Sequence, residues 1–132
     1  MKSARQLVDE ALAVVETLSI EQAQALHGRT EVQFVDIREG NELKTEGRIP
    51  GAFHAPRGVL EFWFDPSSDW QQPALVRPGA RYVLFCAAGW RSALAARDLT
   101  AMGVDGICHV GGGFRAWAAA GAPTEGCPAA PR

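Results

Sequence analysis

The feature that most constrains the fold is a short apolar run that ends on a cysteine and leads directly into a helix-forming segment. The run spans residues 82–85, Cys86 ends it, and a small glycine-containing loop follows. The run is too short for a helix and too apolar for an edge strand, so it predicts a buried parallel strand. The segment after the loop predicts a helix, because apolar residues recur there at helical spacing: Leu94, Ala95, Leu99 and Met102.

A strand, a tight loop and a helix in this order place Cys86 at the carboxyl edge of a sheet, where open α/β folds bind their ligands. The free N–H groups of the loop and of the first helical turn then point towards the sulfur. Their partial positive charge, together with Arg91, favours the nucleophilic thiolate over the thiol. The alternative is a buried core cysteine, which is common inside proteins. A core cysteine requires neither the loop nor the arginine, so we expect Cys86 to carry an anionic group.

The loop is one of four stretches that point to a known family. It reads CAAGWRS at 86–92, and it is accompanied by VDIR at 35–38, GRIPGA at 47–52 and VGGGF at 110–114, the last followed by Ala116 and Trp117. Together they resemble the motifs of single-domain rhodanese-like sulfurtransferases, over roughly residues 17–122. Four motifs in register are far more specific than any one alone. The resemblance implies an α/β fold, with a central parallel sheet of about five strands and helices on both faces.

The resemblance implies a role for Cys86 as the carrier of a persulfide. Cys86 would take a sulfane sulfur from a thiosulfate-like or persulfide donor and pass it to a thiophilic acceptor, which is a small molecule or a protein thiol. Arg91 would add charge or brace the loop, and Trp90 is a candidate wall of the pocket. We expect backbone N–H groups to hold the anionic outer sulfur, and the active-site loop that supplies them is Ala87, Ala88, Gly89, Trp90 and Arg91.

Three further residues are candidates for supporting the loop. By composition alone, Asp36 is an ordinary cap or turn residue. The resemblance implies more, because the family's Asp-x-Arg follows a central strand beside the active loop. We therefore expect Asp36 to hold that loop, by accepting from its backbone or from Arg91, and Arg38 to pair with an acid elsewhere in the domain. Ser92, at the start of the helix, is the third supporting residue.

Two other functions compete with sulfur transfer. Cys-dependent phosphatases and arsenate reductases use a similar loop, but Cys86 and Arg91 enclose four residues, one fewer than the phosphatase loops. Those phosphatases also need an aspartic general acid, and no aspartate stands out here. A non-catalytic rhodanese-like binding or regulatory module is the second alternative, although such modules often lack the loop cysteine. Cys108, in an apparent core strand, and Cys127, near the carboxyl terminus, are possible relay thiols, and we assign catalysis to neither.

Composition and charge argue against several other classes. The net charge of -2 gives no reason to expect nucleic-acid binding. No apolar stretch approaches the about 18 residues of a membrane span, and the acidic N-terminal segment resembles neither a signal nor a transit peptide, so we expect a cytoplasmic protein. Three cysteines at irregular spacing argue against a disulfide framework. No motif has metal-ligand spacing, and we expect neither a metal nor a cofactor.

We divide the chain into three parts. Residues 1–16 form an N-terminal amphipathic helix that begins at Ser3, residues 17–122 form the rhodanese-like domain, and residues 123–132 form a loose tail. The helix packs onto the domain or onto a second subunit, so the protein is a monomer or a homodimer. A long proline-containing connection follows Phe64. Trp63, just before this connection, and Trp70, within it, either roof the Cys86 pocket or only cover the sheet.

Overall fold

A computed structural model describes residues 1–127 of the chain. Its described residues form one sheet of five strands in the order β1-β5-β4-β2-β3, and every pair of neighbouring strands is parallel. The expected parallel α/β architecture is therefore confirmed. The strands are β1 (Thr17–Leu18), β2 (Val32–Asp36), β3 (Phe53–His54), β4 (Arg81–Phe85) and β5 (Ile107–Val110).

Six α-helices accompany the sheet in the described part of the chain. Short 3₁₀ turns at Arg57–Val59 and Pro73–Leu75 interrupt the connections between them. The helices are α1 (Ala4–Leu12), α2 (Ile20–Leu26), α3 (Gly40–Glu46), α4 (Leu60–Phe64), α5 (Trp90–Ala101) and α6 (Gly113–Ala119). None of these helices has the length and hydropathy needed to cross a bilayer.

The central strand β4 contributes alternate side chains to two separate cores. Leu84 lies in the core that includes residues of α4 and α5, whereas Val83 and Phe85 lie in the core that includes residues of α2 and α6. Side chains of a strand alternate between its two faces, so a strand covered by helices on both faces must be apolar throughout. This explains the continuous apolar run in the sequence, and it places helices on both faces of the sheet.

The N-terminal helix packs onto the domain and is shorter than predicted. Ser3 caps α1 through a reciprocal capping box with Gln6, as expected. Val8 and Ala11 are buried in a cluster with Ala93 of α5. The helix ends at Leu12 rather than near residue 16 because the chain turns there to enter β1. Val15 then packs against the α4–α5 core instead of continuing the helical face.

The end of α5 and the C-terminal segment both differ from the predictions. Met102 was placed on the apolar face of the helix, but it lies beyond the last residue of α5 and is 45% exposed. Residues 123–127 are held against the domain rather than loose. Glu125 forms an antiparallel bridge with Arg48, and the indole N–H of the buried Trp117 donates to the carbonyl of Pro123 at 2.7 Å. Residues 128–132 lie outside the described residues.

Part of the long connection before β4 lies at the opposite edge of the sheet from Cys86. Residues 75–80 reach the amino end of β4, where they line a cavity of about 330 Å³ together with residues that follow α5. Trp70 is 69% exposed, and Trp63 packs edge-on against Phe53. Residues 75–80 therefore do not roof Cys86, because the start and the end of a strand lie at opposite edges of the sheet.

Candidate active site

Cys86 follows the last residue of β4 at the carboxyl edge of the sheet and is 1% exposed. Its Sγ accepts hydrogen bonds from the backbone N–H of Gly89 at 3.1 Å and of Ser92 at 3.4 Å. Gly89 has φ +102°, a left-handed conformation that favours glycine, and this turn directs the chain into α5. Of residues 87–91, which were expected to supply the N–H groups, Gly89 donates to the sulfur, and the second donor is Ser92, in the first turn of the helix. The Trp90 side chain is half exposed beside them.

The amino end of α6 holds the back of the loop. The N–H of Phe114 donates to the Cys86 carbonyl at 2.8 Å, and the N–H of Arg115 donates to the Ala87 carbonyl at 3.1 Å. Gly113 lies so close that an added Cβ would be 2.4 Å from the Cys86 carbonyl oxygen, and its φ is +61°. Gly113 is thus required by its close approach to the loop, which agrees with the tight turn expected beside the loop from the sequence.

Arg91 is engaged by a carboxylate that the sequence analysis missed. Its two terminal nitrogens donate to the two Glu42 oxygens at 2.9 Å each, in a bidentate pair. These hydrogen bonds, helped by one from the N–H of Glu39, lower the pKa of Glu42 to about 2, and Glu42 in turn raises the pKa of Arg91. The only sequence signal for Glu42 was its place in the first turn of a short helix, which is too common to single it out.

Asp36 and Arg38 pair with each other, so the partners predicted for them were wrong. The Arg38 guanidinium donates to the two Asp36 oxygens at 3.0 Å and 2.7 Å, and it also donates to the Gly47 carbonyl at 2.9 Å. Both side chains are 1% exposed. A buried charge requires a close partner, and the nearest one is two residues away. The guanidinium also lies 4.2 Å from the centre of the Phe114 ring, so the pair supports the loop only indirectly, through α6.

Ser92 is fully buried and connects Cys86 to a histidine that the sequence analysis did not single out. Its Oγ lies 3.6 Å from Cys86 Sγ and 2.9 Å from Nδ1 of His109 in β5. The other ring nitrogen of His109 lies 2.8 Å from the Thr17 hydroxyl of β1. Burial lowers the pKa of His109 to about 4, so the imidazole is neutral at pH 7. The only sequence feature that could have pointed to His109 was its position as a histidine within a short apolar strand.

The other two cysteines occupy different surroundings. Cys108 is fully buried in β5, where burial raises its pKa and its Sγ donates to the Tyr82 carbonyl at 3.5 Å. It is a core thiol, as expected. Cys127 is exposed and lies against Gly47. Among the three cysteines, only the sulfur of Cys86 receives backbone N–H hydrogen bonds within the described residues.

Comparison with known proteins gives concordant results. Residues 19–120 match the sequence profile of the family described as rhodanese-like domain. The thiosulfate sulfurtransferase GlpE of Shewanella oneidensis is 34% identical, over 76% of this chain and 89% of its own. An uncharacterised Synechocystis protein is 36% identical over 82% of this chain, which spans 55% of that relative's length. A Rhodopseudomonas palustris protein, described as of unknown function and a possible tyrosine phosphatase, superposes with a TM-score of 0.90, at 42% identity, over 95% of this chain and 96% of its own.

Proposed function

Since the chain belongs to the rhodanese-like family, we propose that it is a sulfurtransferase in which Cys86 carries the transferred sulfur as a persulfide. The observation that carries the proposal is the hydrogen bonding of Cys86 Sγ by two backbone N–H groups at the start of α5. Fixed donors of this kind stabilise an anionic sulfur without having to reorganise. The likeness to a thiosulfate sulfurtransferase supports the same chemistry.

The reaction has two nucleophilic steps. The Cys86 thiolate attacks the outer sulfur of a donor such as thiosulfate, a sulfur–sulfur bond forms to Sγ, and the donor's own sulfur–sulfur bond breaks with its electron pair leaving on sulfite. An acceptor such as cyanide or a thiolate then attacks the outer sulfur of the persulfide. That bond to Sγ breaks, and the electron pair returns to Cys86 as the thiolate. This is covalent catalysis with a ping-pong order.

Arg91 and Glu42 brace the loop in this mechanism. Their bidentate pair ties the first turn of α5 to α3, and each side chain is about one-third exposed. Because Glu42 neutralises most of its charge, Arg91 contributes more to the shape of the loop than to the attraction of an anion. Trp90, half exposed at the start of α5, is the side chain we assign to contact with a donor or an acceptor.

A phosphatase activity fits the site less well, although one structural neighbour is described as a possible tyrosine phosphatase. Arg91 is occupied by Glu42 rather than free to bind a phosphoryl group. Asp36 is buried against Arg38 and is therefore a poor general acid. Asp65 is partly exposed, and its hydrogen bonds from Ser67 lower its pKa, which favours the ionised form. A non-catalytic binding module does not require the N–H groups that are directed at Sγ.

The test is an assay of both half-reactions with the full-length protein. After incubation with thiosulfate, we expect the intact mass of the wild type to increase by one sulfur atom, and cyanide to release this sulfur as thiocyanate. Cys86→Ser should abolish both signals, whereas the matched variants Cys108→Ala and Cys127→Ala should retain them. Thiocyanate formation that survives in Cys86→Ser would refute the proposal. So would a wild type that gains no sulfur from thiosulfate, polysulfide or glutathione persulfide, or that hydrolyses an aryl phosphate instead.

A further inference from the structure

A line of polar side chains joins the buried sulfur of Cys86 to the surface at an edge of the sheet. Ser92 Oγ contacts both Cys86 Sγ, at 3.6 Å, and His109 Nδ1, at 2.9 Å. His109 Nε2 contacts Thr17 Oγ1 at 2.8 Å. Ser92 and His109 are 0% exposed, whereas Thr17 lies in the edge strand β1 and is exposed to solvent. The mechanism above does not use this line.

Two arrangements of the line give every hydrogen in it a partner within the line. Ser92 Oγ also lies 3.3 Å from the Gly89 carbonyl, a longer contact than the 2.9 Å to His109 Nδ1. A neutral imidazole carries one N–H and one acceptor nitrogen, and each hydroxyl carries one hydrogen. Within the described residues, Ser92 Oγ is the only oxygen within hydrogen-bonding distance of Cys86 Sγ. If Cys86 is a thiol, its hydrogen points to Ser92 Oγ, the Ser92 hydrogen points to Nδ1, and the Nε2–H of His109 points to Thr17.

The second arrangement applies when the sulfur is an anion, either a thiolate or a persulfide. The sulfur then accepts from the Ser92 hydroxyl, which in turn accepts from the Nδ1–H of His109. Nε2 has lost its hydrogen and accepts from the Thr17 hydroxyl. Every donor again has one acceptor, so the line is fully satisfied in both states, with opposite directions of donation.

We propose that Ser92, His109 and Thr17 form a proton relay that reverses direction when Cys86 ionises, and that His109 changes its tautomer while remaining neutral. One proton moves from Sγ to Ser92 Oγ, one from Ser92 Oγ to Nδ1, one from Nε2 to Thr17 Oγ1, and one from Thr17 to water. The sulfur keeps its electron pair, and one proton is released to solvent in total. Ser92 touches the reacting sulfur, whereas His109 and Thr17 are positioning residues. The purpose of the relay rests on the proposed function, because it prepares the thiolate that attacks the donor.

The charged groups around the line are paired or remote from it. On the sulfur side, α5 and α3 contribute the Arg91–Glu42 pair. The buried Asp36–Arg38 pair lies against the Phe114 ring of α6. On the His109 side, β1 is preceded by Glu16, which pairs with Arg81 of β4. α5 also carries the Arg97–Asp98 pair, and the Tyr82 hydroxyl of β4 is bonded to the backbone of Arg77. Arg115 of α6 is exposed, and the thiol of Cys108 in β5 belongs to the α2–α6 core and has a raised pKa.

The decisive experiment follows the His109 tautomer by two-bond ¹H–¹⁵N correlation of the imidazole nitrogens in the full-length protein. We expect the hydrogen of His109 to move from Nε2 to Nδ1 as pH rises through the ionisation of Cys86, which thiolate absorbance records in the same samples. Cys86→Ala should remove the change. A single unchanged His109 tautomer across the Cys86 ionisation would overturn the relay, since a merely structural histidine has no reason to switch.

A second readout uses Ser92→Ala, which removes the hydroxyl that contacts the sulfur. A hydrogen bond to an anionic sulfur is stronger than one to a neutral thiol, so we expect iodoacetamide to alkylate Cys86 about three- to tenfold more slowly at pH 7. The tautomer change of His109 should also disappear, because nothing then connects Nδ1 to the sulfur. Thr30→Val, a loss of one hydroxyl at an exposed site, should change neither readout. A tautomer change that persists in Ser92→Ala would count against the relay. A tautomer switch without any sulfur transfer would refute the proposed function but not the relay.

Discussion

Acidification should destabilise the protein through one buried histidine, and the size of the effect follows from its surroundings. Burial lowers the pKa of His109 from 6.5 to about 4. At pH values between 4 and 6.5, His109 is therefore protonated in the unfolded chain and neutral in the folded chain. The stability associated with neutral His109 is therefore complete above about pH 6.5 and is lost as pH falls towards 4. Because proton binding and folding are linked, the free energy of unfolding should fall by about 2.5 kcal/mol between pH 7.5 and pH 4.5.

The measurement is urea unfolding of the wild type, His109→Asn and Ser92→Ala at pH 7.5 and pH 4.5. Carboxylates also titrate in this range, so the prediction concerns the difference between variants. The free energy of unfolding of His109→Asn should fall by about 2.5 kcal/mol less than that of the wild type. Ser92→Ala keeps a buried histidine and should retain the wild-type pH dependence. Equal pH dependence in the wild type and His109→Asn would show that burial does not hold this imidazole neutral.

Three further perturbations test the supports of the loop. Glu42→Gln should lower the free energy of unfolding by about 1 kcal/mol at pH 7, since the ion pair is partly exposed. This difference between variant and wild type should shrink as pH falls from 4.5 towards 2, because the wild-type carboxyl then protonates as well. Gly113→Ala should lower the free energy of unfolding by urea about 2 kcal/mol more than Gly121→Ala does, and it should slow persulfide formation. Both glycines have positive φ, but only Gly113 faces the loop backbone. Equal losses of stability would contradict the close approach. Asp36→Asn should cost about 3–5 kcal/mol by leaving a buried guanidinium without its counter-ion, and a loss under about 1 kcal/mol would show that the pair is dispensable.

The fold and the position of Cys86 at the carboxyl edge of the sheet could be predicted because both are encoded locally. The apolar run before Cys86, the glycine loop and the helix after it are adjacent in sequence. The cap at Ser3 was found for the same reason, since its partner Gln6 lies three residues away. Patterns formed by residues only a few positions apart in sequence indicate the backbone conformation directly.

The partners of the site residues could not be predicted because they are distant in sequence. Glu42 lies 49 positions from Arg91, and Thr17 lies 92 positions from His109. Nothing local distinguishes these side chains from ordinary surface residues. Asp36 was assigned the wrong partner for the opposite reason: Arg38, two residues away, satisfied it within the same turn. Burial decides such pairings, and burial depends on the whole fold.

The hydrogen bonds between α6 and the back of the loop determine which backbone groups of the loop face the Cys86 sulfur. A peptide group that donates on one side presents its carbonyl on the other, and a carbonyl facing an anionic sulfur would repel it. The carbonyls of Cys86 and Ala87 are instead bound by the N–H groups of Phe114 and Arg115. The side facing the sulfur is left with donors. Substitutions at the start of α6 should therefore change the electrostatics around Cys86, because this helix binds the carbonyls of the loop through its backbone N–H groups.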